Sequence, residues 1–315
     1  MSAGLPDRRG RLRGGIYGHL VGDAVGVPYE GDEPNAIGAV EMRGGGRHRQ
    51  PPGTWSDDGA LMLALADSLA RVGFHPADQG RRALAWVDAK AYTPDADGAF
   101  DIGGATSRAL VRLRAGTDAI DAGGTEERDC GNGSLMRILP LGVWDEAADN
   151  ATLIERAHLA SRVTHAHPRC QVSCALYVLV ARSLLTGETD AAATLESSVA
   201  RLQAGTYDGR PEMARALGEL VSHPSASTVR YGRAYVFDAF WSAWEAFALT
   251  DSYPACIERA VGYGHDTDTT AAIAGGLAGL RYGIDGIPTE WLEALRGRDI
   301  VEGILGRLTL RRTDA

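Results

Sequence analysis

Two short carboxylate motifs, Ser56-Asp57-Asp58 and Asp266-Thr267-Asp268-Thr269, carry the residue types most able to do chemistry in this chain. The first precedes 60–69, where Leu61, Leu65 and Leu69 repeat at the four-residue spacing of a helix face. Taken alone, it has a structural account: Ser56 caps the helix and the acids favour its positive end. The second motif adds a constraint. It opens 270–282, a helix rich in alanine and glycine with almost no polar face, which should therefore be buried together with its N-terminal acids. Buried carboxylates are expensive without a counter-charge. Four aspartates meeting at one place would repel strongly unless divalent cations neutralised them. Donors drawn only from Ser, Thr and Asp are oxygen donors, which point to magnesium or manganese rather than zinc. Four carboxylates with two hydroxyls are easier to justify around two cations than around one.

Two further segments could contribute. Cys130-Gly131-Asn132-Gly133-Ser134-Leu135-Met136-Arg137 alternates glycine with small polar residues at an expected helix start. Such a segment can present several backbone amides to a phosphate, and it reads equally as a glycine-rich turn with no ligand. Near the N-terminus, Gly22-Asp23 closes a first helix, Pro28 stops it, and Glu30 falls in the loop that follows, where a surface glutamate is the default reading.

Helical periodicity accounts for the elements that must position these motifs. It predicts helices over 7–24, 60–69, 76–90, 104–114, 152–161, 168–185, 191–202, 211–221, 231–248, 254–261, 267–282 and 288–295. Pro76, Pro168, Pro211, Pro254 and Pro288 each stand near an expected helix start, where a missing amide donor costs nothing. Alternating strands with hairpin signals are absent, so the expected class is all-α. The segments 31–54, 93–103, 116–133 and 205–210 read as loops over one core. The expectation is a single domain over 1–315.

Composition narrows the function classes. Hydrophobic residues make up 44% and charged residues 23%, an ordinary globular balance. The net charge of -9 argues against an extended nucleic-acid surface, while leaving room for a small anionic ligand held by local amides. Lys90 is the one lysine beside 31 arginines, a compositional bias rather than a functional signal. Cys130, Cys170, Cys174 and Cys256 form no C-x-x-C pair and read as buried thiols, which fits a reducing, cytoplasmic compartment. His19 and Asp23 interrupt the first apolar stretch, and no run approaches the ~18 apolar residues of a membrane span. A soluble protein with no membrane partner is expected.

In this order, Gly22-Asp23 through Glu30, Trp55-Ser56-Asp57-Asp58, Gly131-Asn132-Gly133 with Met136-Arg137, Thr164-His165, and 264–276 resemble the ADP-ribosylglycohydrolase family. The resemblance covers nearly the whole chain. It implies a compact, all-α, single-domain orthogonal helical bundle with a binuclear Mg2+ or Mn2+ centre at the base of a cleft. Ser56, Asp57 and Asp58 match one ligand set, with serine where threonine is common, and Asp266, Asp268 and Thr269 match the other. Glu30 matches an acidic residue close to the substrate, and Asp101 resembles a loop aspartate of arginine-directed relatives. Gly131, Asn132, Gly133 and Ser134 match the segment that holds the pyrophosphate. His165 resembles a histidine near the phosphate or ribose, against which stands a helix-capping role beside Pro168. His265 takes a position often held by glycine or asparagine.

The implied reaction is hydrolysis of the bond from C1'' of ADP-ribose to an acceptor, with ADP-ribosyl-arginine on a protein as the leading substrate. O-linked serine adducts or small conjugates such as O-acetyl-ADP-ribose are the alternative within the same chemistry. A catalytically silent ADP-ribose-binding protein is the alternative outside it.

Overall fold

A computed structural model of the protein describes residues 5–94, 98–223 and 230–310. Among them the secondary structure is helical, with no strand beyond three isolated bridges. The first half of the chain supplies α1 (Arg8–Gly26), α2 (Asp57–Val72), α3 (Pro76–Ala89), α4 (Gly104–Arg114), α5 (Leu139–Trp144) and α6 (Asn150–Arg162). The second supplies α7 (Pro168–Leu185), α8 (Ala191–Gln203), α9 (Pro211–Ser222), α10 (Val236–Ala248), α11 (Tyr253–Val261), α12 (Thr267–Tyr282), α13 (Thr289–Ala294) and α14 (Arg298–Leu310). The all-α expectation holds, and buried apolar residues from Leu12 to Leu308 join in one cluster.

The closest pairing is between α1 and α12, and glycine makes it possible. Gly14, Gly18 and Gly22 recur at one-turn spacing on α1, opposite Gly279, Gly275 and Ala271 of α12. A Cβ on any of the three would come closer than 3.0 Å to a backbone carbonyl oxygen of α12. Gly26 continues the row against the backbone of Asp268. This row explains part of the glycine excess. It also brings the end of α1 against the start of α12, where the second carboxylate motif lies. All residues from Thr267 to Leu280 are buried, as the missing polar face of that helix predicts.

Differences from the expected elements have local causes. The helix expected over 231–248 begins only at Val236, because the Asp238 carboxylate accepts from the amides of Tyr231 (3.4 Å) and Arg233 (2.6 Å) and holds that stretch outside the helix. The segment expected to start a helix at Cys130 is instead a series of turns, and the next helix, α5, begins at Leu139. Neither α5, six residues long with Pro140 at its start, nor α14, a continuous helix that contains Gly303 and Gly306, emerges from the periodicity. Of the expected loops, 95–97 lies outside the described residues. The four cysteines are buried free thiols, and among the described residues no helix is long and apolar enough to cross a membrane.

Candidate active site

The first carboxylate motif is placed by α1. The Asp23 carboxylate accepts from the amides of Ser56 (2.9 Å) and Gly59 (2.7 Å), so the last turn of α1 holds the first turn of α2. Burial pushes the Asp23 carboxyl up to about 7, against the pull of those two amides. Ser56 caps α2, its Oγ accepting from the amide of Asp58 at 3.2 Å. Both roles of the serine are thus compatible: the cap uses one lone pair and leaves the hydroxyl at the acidic cluster.

The second motif meets the first directly. Thr269 donates its hydroxyl hydrogen to Asp58 Oδ2 across 3.1 Å, linking α12 to α2. Asp57, Asp58 and Asp268 are buried, and all three carboxyls are held well above the usual range, first by burial and then by the neighbouring acids. Asp266 is raised too, by burial, with the Asn132 amide opposing. Two buried carboxylate oxygens, Asp58 Oδ1 and Asp268 Oδ2, have no hydrogen-bond partner. Protein carboxylates are rarely left so. An all-oxygen donor set with orphaned, mutually repelling carboxylates fits divalent cations and does not fit an unassisted buried cluster.

A cavity of about 330 Å³ opens over this cluster, with Asp57, Asp266 and Thr269 in its wall. Glu30 and Asp101 share the wall, as do Gly131, Asn132, Gly133 and His165. Asn132 joins the two sets, its Nδ2 donating to Asp266 Oδ2 at 2.8 Å. The glycine segment is pinned from behind: Asn132 N donates to Ala234 O (2.9 Å) and Val236 N to Cys130 O (3.0 Å). Ser134 departs from expectation. Its hydroxyl is fully buried against Ser161 (2.8 Å) and faces the core rather than the cavity.

The tautomer of His165 follows from its neighbours. Buried Arg137 donates to Gly133 O (2.5 Å) and to Thr164 Oγ1 (2.7 Å), and a guanidinium only donates. Among the hydrogen bonds of the Thr164 hydroxyl, His165 Nδ1, 2.8 Å away, is the one acceptor its own hydrogen can use, so the hydroxyl donates there. The ring proton is left on Nε2, beside Gly131 and Gly133. Burial, followed by the Arg137 charge, lowers the imidazole to about 3, so it stays a neutral donor. The capping role belongs to His167, whose Nδ1 accepts from the Arg169 amide at 3.2 Å as the N-cap of α7.

Two residues at the site occupy the left-handed region that non-glycine residues seldom adopt, Asp101 at φ 59° and His265 at φ 60°. His265 spans a crossing of loops, its amide donating to Asp32 O (2.8 Å) and its carbonyl accepting from Gly31 N (2.6 Å). Its ring stands 3.8 Å from Glu33, so it is a backbone junction and adds nothing to the oxygen cluster. Burial, with Glu30 adding to it and His48 opposing, raises Asp101 to about 6. No motif pointed to a role for His48, Arg137, or the two arginines of the cavity wall, Arg108 and Arg128. Arg137 stood in a recognised motif without a role, whereas Arg108 is carried by α4 and loop folding brings His48 and Arg128 to the site.

The match to known proteins spans the chain. The model of the family described as ADP-ribosylglycohydrolase matches residues 5–315. An ADP-ribosyl-[dinitrogen reductase] glycohydrolase of Rhodospirillum rubrum is 30% identical, with 92% of each chain covered. ADP-ribosylarginine hydrolase Tri1 of Pseudomonas putida is 32% identical over 90% of this chain and 73% of its own. A solved structure described as an ADP-ribosylglycohydrolase-related protein complex superposes with a TM-score of 0.79 at 34% identity, covering 96% of this chain and 98% of that one.

Proposed function

Because the chain belongs to the ADP-ribosylglycohydrolase family and is an ADP-ribosylglycohydrolase, we propose that it works as one domain to hydrolyse the bond between ADP-ribose and an arginine side chain of a modified protein. The orphaned oxygens of Asp58 and Asp268 inside the linked carboxylate cluster carry this reading. Ser56, Asp57 and Asp58 with Asp266, Asp268 and Thr269 would hold two divalent cations, Mg2+ or Mn2+. When bound, these supply charge neutralisation and polarisation at the ribose hydroxyls.

The chain's own groups divide the remaining work. The backbone of Gly131 and Gly133, the Asn132 segment and the fixed Nε2–H of His165 suit the diphosphate and its neighbouring ribose, and Arg108 and Arg128 add positive charge to the same wall. Glu30 and Asp101 line the cavity as a pair of carboxylates. Glu30 orients the water that attacks C1'' and takes its proton as the bond to the acceptor nitrogen breaks. The bonding pair leaves with that nitrogen as a neutral guanidine, which Asp101 holds while the proton taken by Glu30 passes to it to give the guanidinium. The anionic character of that pair favours a cationic acceptor over a serine hydroxyl or an acetate. The relatives named for dinitrogen reductase and for ADP-ribosylarginine support the same choice.

Release of ADP-ribose from arginine-, serine- and O-acetyl-linked substrates tests the reading. Turnover is expected on the arginine conjugate. Turnover confined to either of the others would replace the acceptor.

A further inference from the structure

One group stands against both loop carboxylates without a part in the proposed reaction. His48 Nε2 is bonded to Glu30 Oε2 and lies 3.6 Å from Asp101 Oδ1. Glu30 and Asp101 line the cavity and His48 does not, so it meets them from outside the space the substrate would take. Its side chain is only 14% exposed. The ring rests against Phe100, centroids 5.1 Å apart, and Phe100 immediately precedes Asp101.

The turn that presents His48 is built to a fixed shape. Gly45 N donates to Gln50 O at 2.8 Å, closing it. Gly46, at φ +65°, presses on Pro28 with no room for a Cβ, and Arg49 is left-handed at φ 55°. The Tyr29 hydroxyl anchors the approach, accepting from Glu41 N (2.9 Å) and donating to Ala39 O (3.1 Å).

We infer that His48 is a positioning residue for the hydrolysis, one imidazole holding the Glu30 and Asp101 carboxylates at a set separation. Asp101 keeps its left-handed backbone only while its surroundings over-determine it, and His48 with Phe100 supplies that constraint. Arg47 also reaches Glu30, at 3.2 Å, but its side chain is 66% exposed and such a pair contributes little. The inference rests on the reaction proposed above, in which both carboxylates must face C1'' and the departing group at fixed places.

The test compares wild type, His48→Ala and His48→Gln on an arginine-linked conjugate, or on whichever ADP-ribose conjugate the wild type turns over. His48→Ala should lower kcat about 10- to 100-fold, with KM, affinity for free ADP-ribose and Tm unchanged. Added imidazole should restore part of the loss, and glutamine should fall between alanine and histidine. An unchanged kcat overturns the inference, as does a raised KM at wild-type kcat. So does a fall in kcat that neither imidazole nor glutamine relieves. A wild type that is inactive on arginine but active on another linkage overturns the acceptor reading alone. Inactivity on every conjugate overturns both.

Discussion

The hydroxyl of Thr269 donates to Asp58 across 3.1 Å, and this bond ties the first turn of α12 to the first turn of α2. Thr269→Val should remove a buried bond to a charged acceptor, at a cost of about 1.5–3 kcal/mol, and should weaken cation binding as well. Denaturant unfolding with and without Mn2+ separates the two effects. An unchanged cation response would take Thr269 out of the ligand set.

Asp268 offers a crossed prediction. Without cations its carboxyl is buried among other acids, which penalises its charged form, so Asp268→Asn should melt no lower than wild type in a chelator. Saturating Mn2+ should stabilise the wild type, by about 2.7 kcal/mol at a hundredfold excess over Kd, and should stabilise the variant much less. Equal Tm shifts in the two proteins would remove Asp268 from the site.

Thr164 fixes the tautomer of His165. Thr164→Val leaves an Arg137 donor unpaired in the interior and frees Nδ1 to take the proton. Affinity for ADP-ribose should fall by about tenfold, in line with the loss of one well-aligned hydrogen bond of roughly 1.4 kcal/mol. Calorimetric titration with ADP-ribose checks this, and wild-type affinity would refute the assigned proton position.

His165 also sets a pH dependence. Its folded value, about 3, lies below the ordinary value of 6.5, so the unfolded chain binds the proton more readily. The contribution is fully present above pH 6.5 and is lost as pH falls towards 3, at about 1.4 kcal/mol per pH unit within that window. Relative to His165→Asn, the wild type should therefore lose stability progressively below pH 6.5. Parallel stability curves for the two proteins down to pH 4 would contradict the burial of a neutral ring.

The glycine row between α1 and α12 predicts a strong asymmetry among small substitutions. Gly18→Ala drives a methyl group into the Gly275 carbonyl and should cost about 1–3 kcal/mol or more. Gly218→Ala, on α9 with nothing within 4 Å of the new Cβ, should instead stabilise by about 0.4–1 kcal/mol. Urea midpoints for the pair provide the comparison.

Much of this was legible in residue order. The missing polar face of α12 foretold its burial, and that burial carried the charge argument for cations. Prolines at 76, 168 and 211 marked helix starts correctly, since each stands at the first helical position. What escaped depends on contacts with no period. His48 reaches Glu30 only because 31–54 folds back on Tyr29 and Pro28, and no spacing along that loop announces it. Ser134 looked like part of a phosphate cradle, yet one residue past Gly133 the chain has already turned its side chain to Ser161. The left-handed backbone of His265 gives a physical reason for glycine or asparagine at that position, as these residues tolerate it best.

The pairing of α1 with α12 also bears on how the protein comes into being. Residues 8–26 leave the ribosome early, but their buried glycine face has no partner until 267–282 follows. The acidic cluster sits at that same junction, so the nascent N-terminal portion, which carries only Ser56, Asp57 and Asp58, cannot complete it. Contacts of such long sequence separation slow folding and prolong exposure of the apolar face. Activity should thus appear only with nearly complete chains, and α1 is the segment most in need of protection until then.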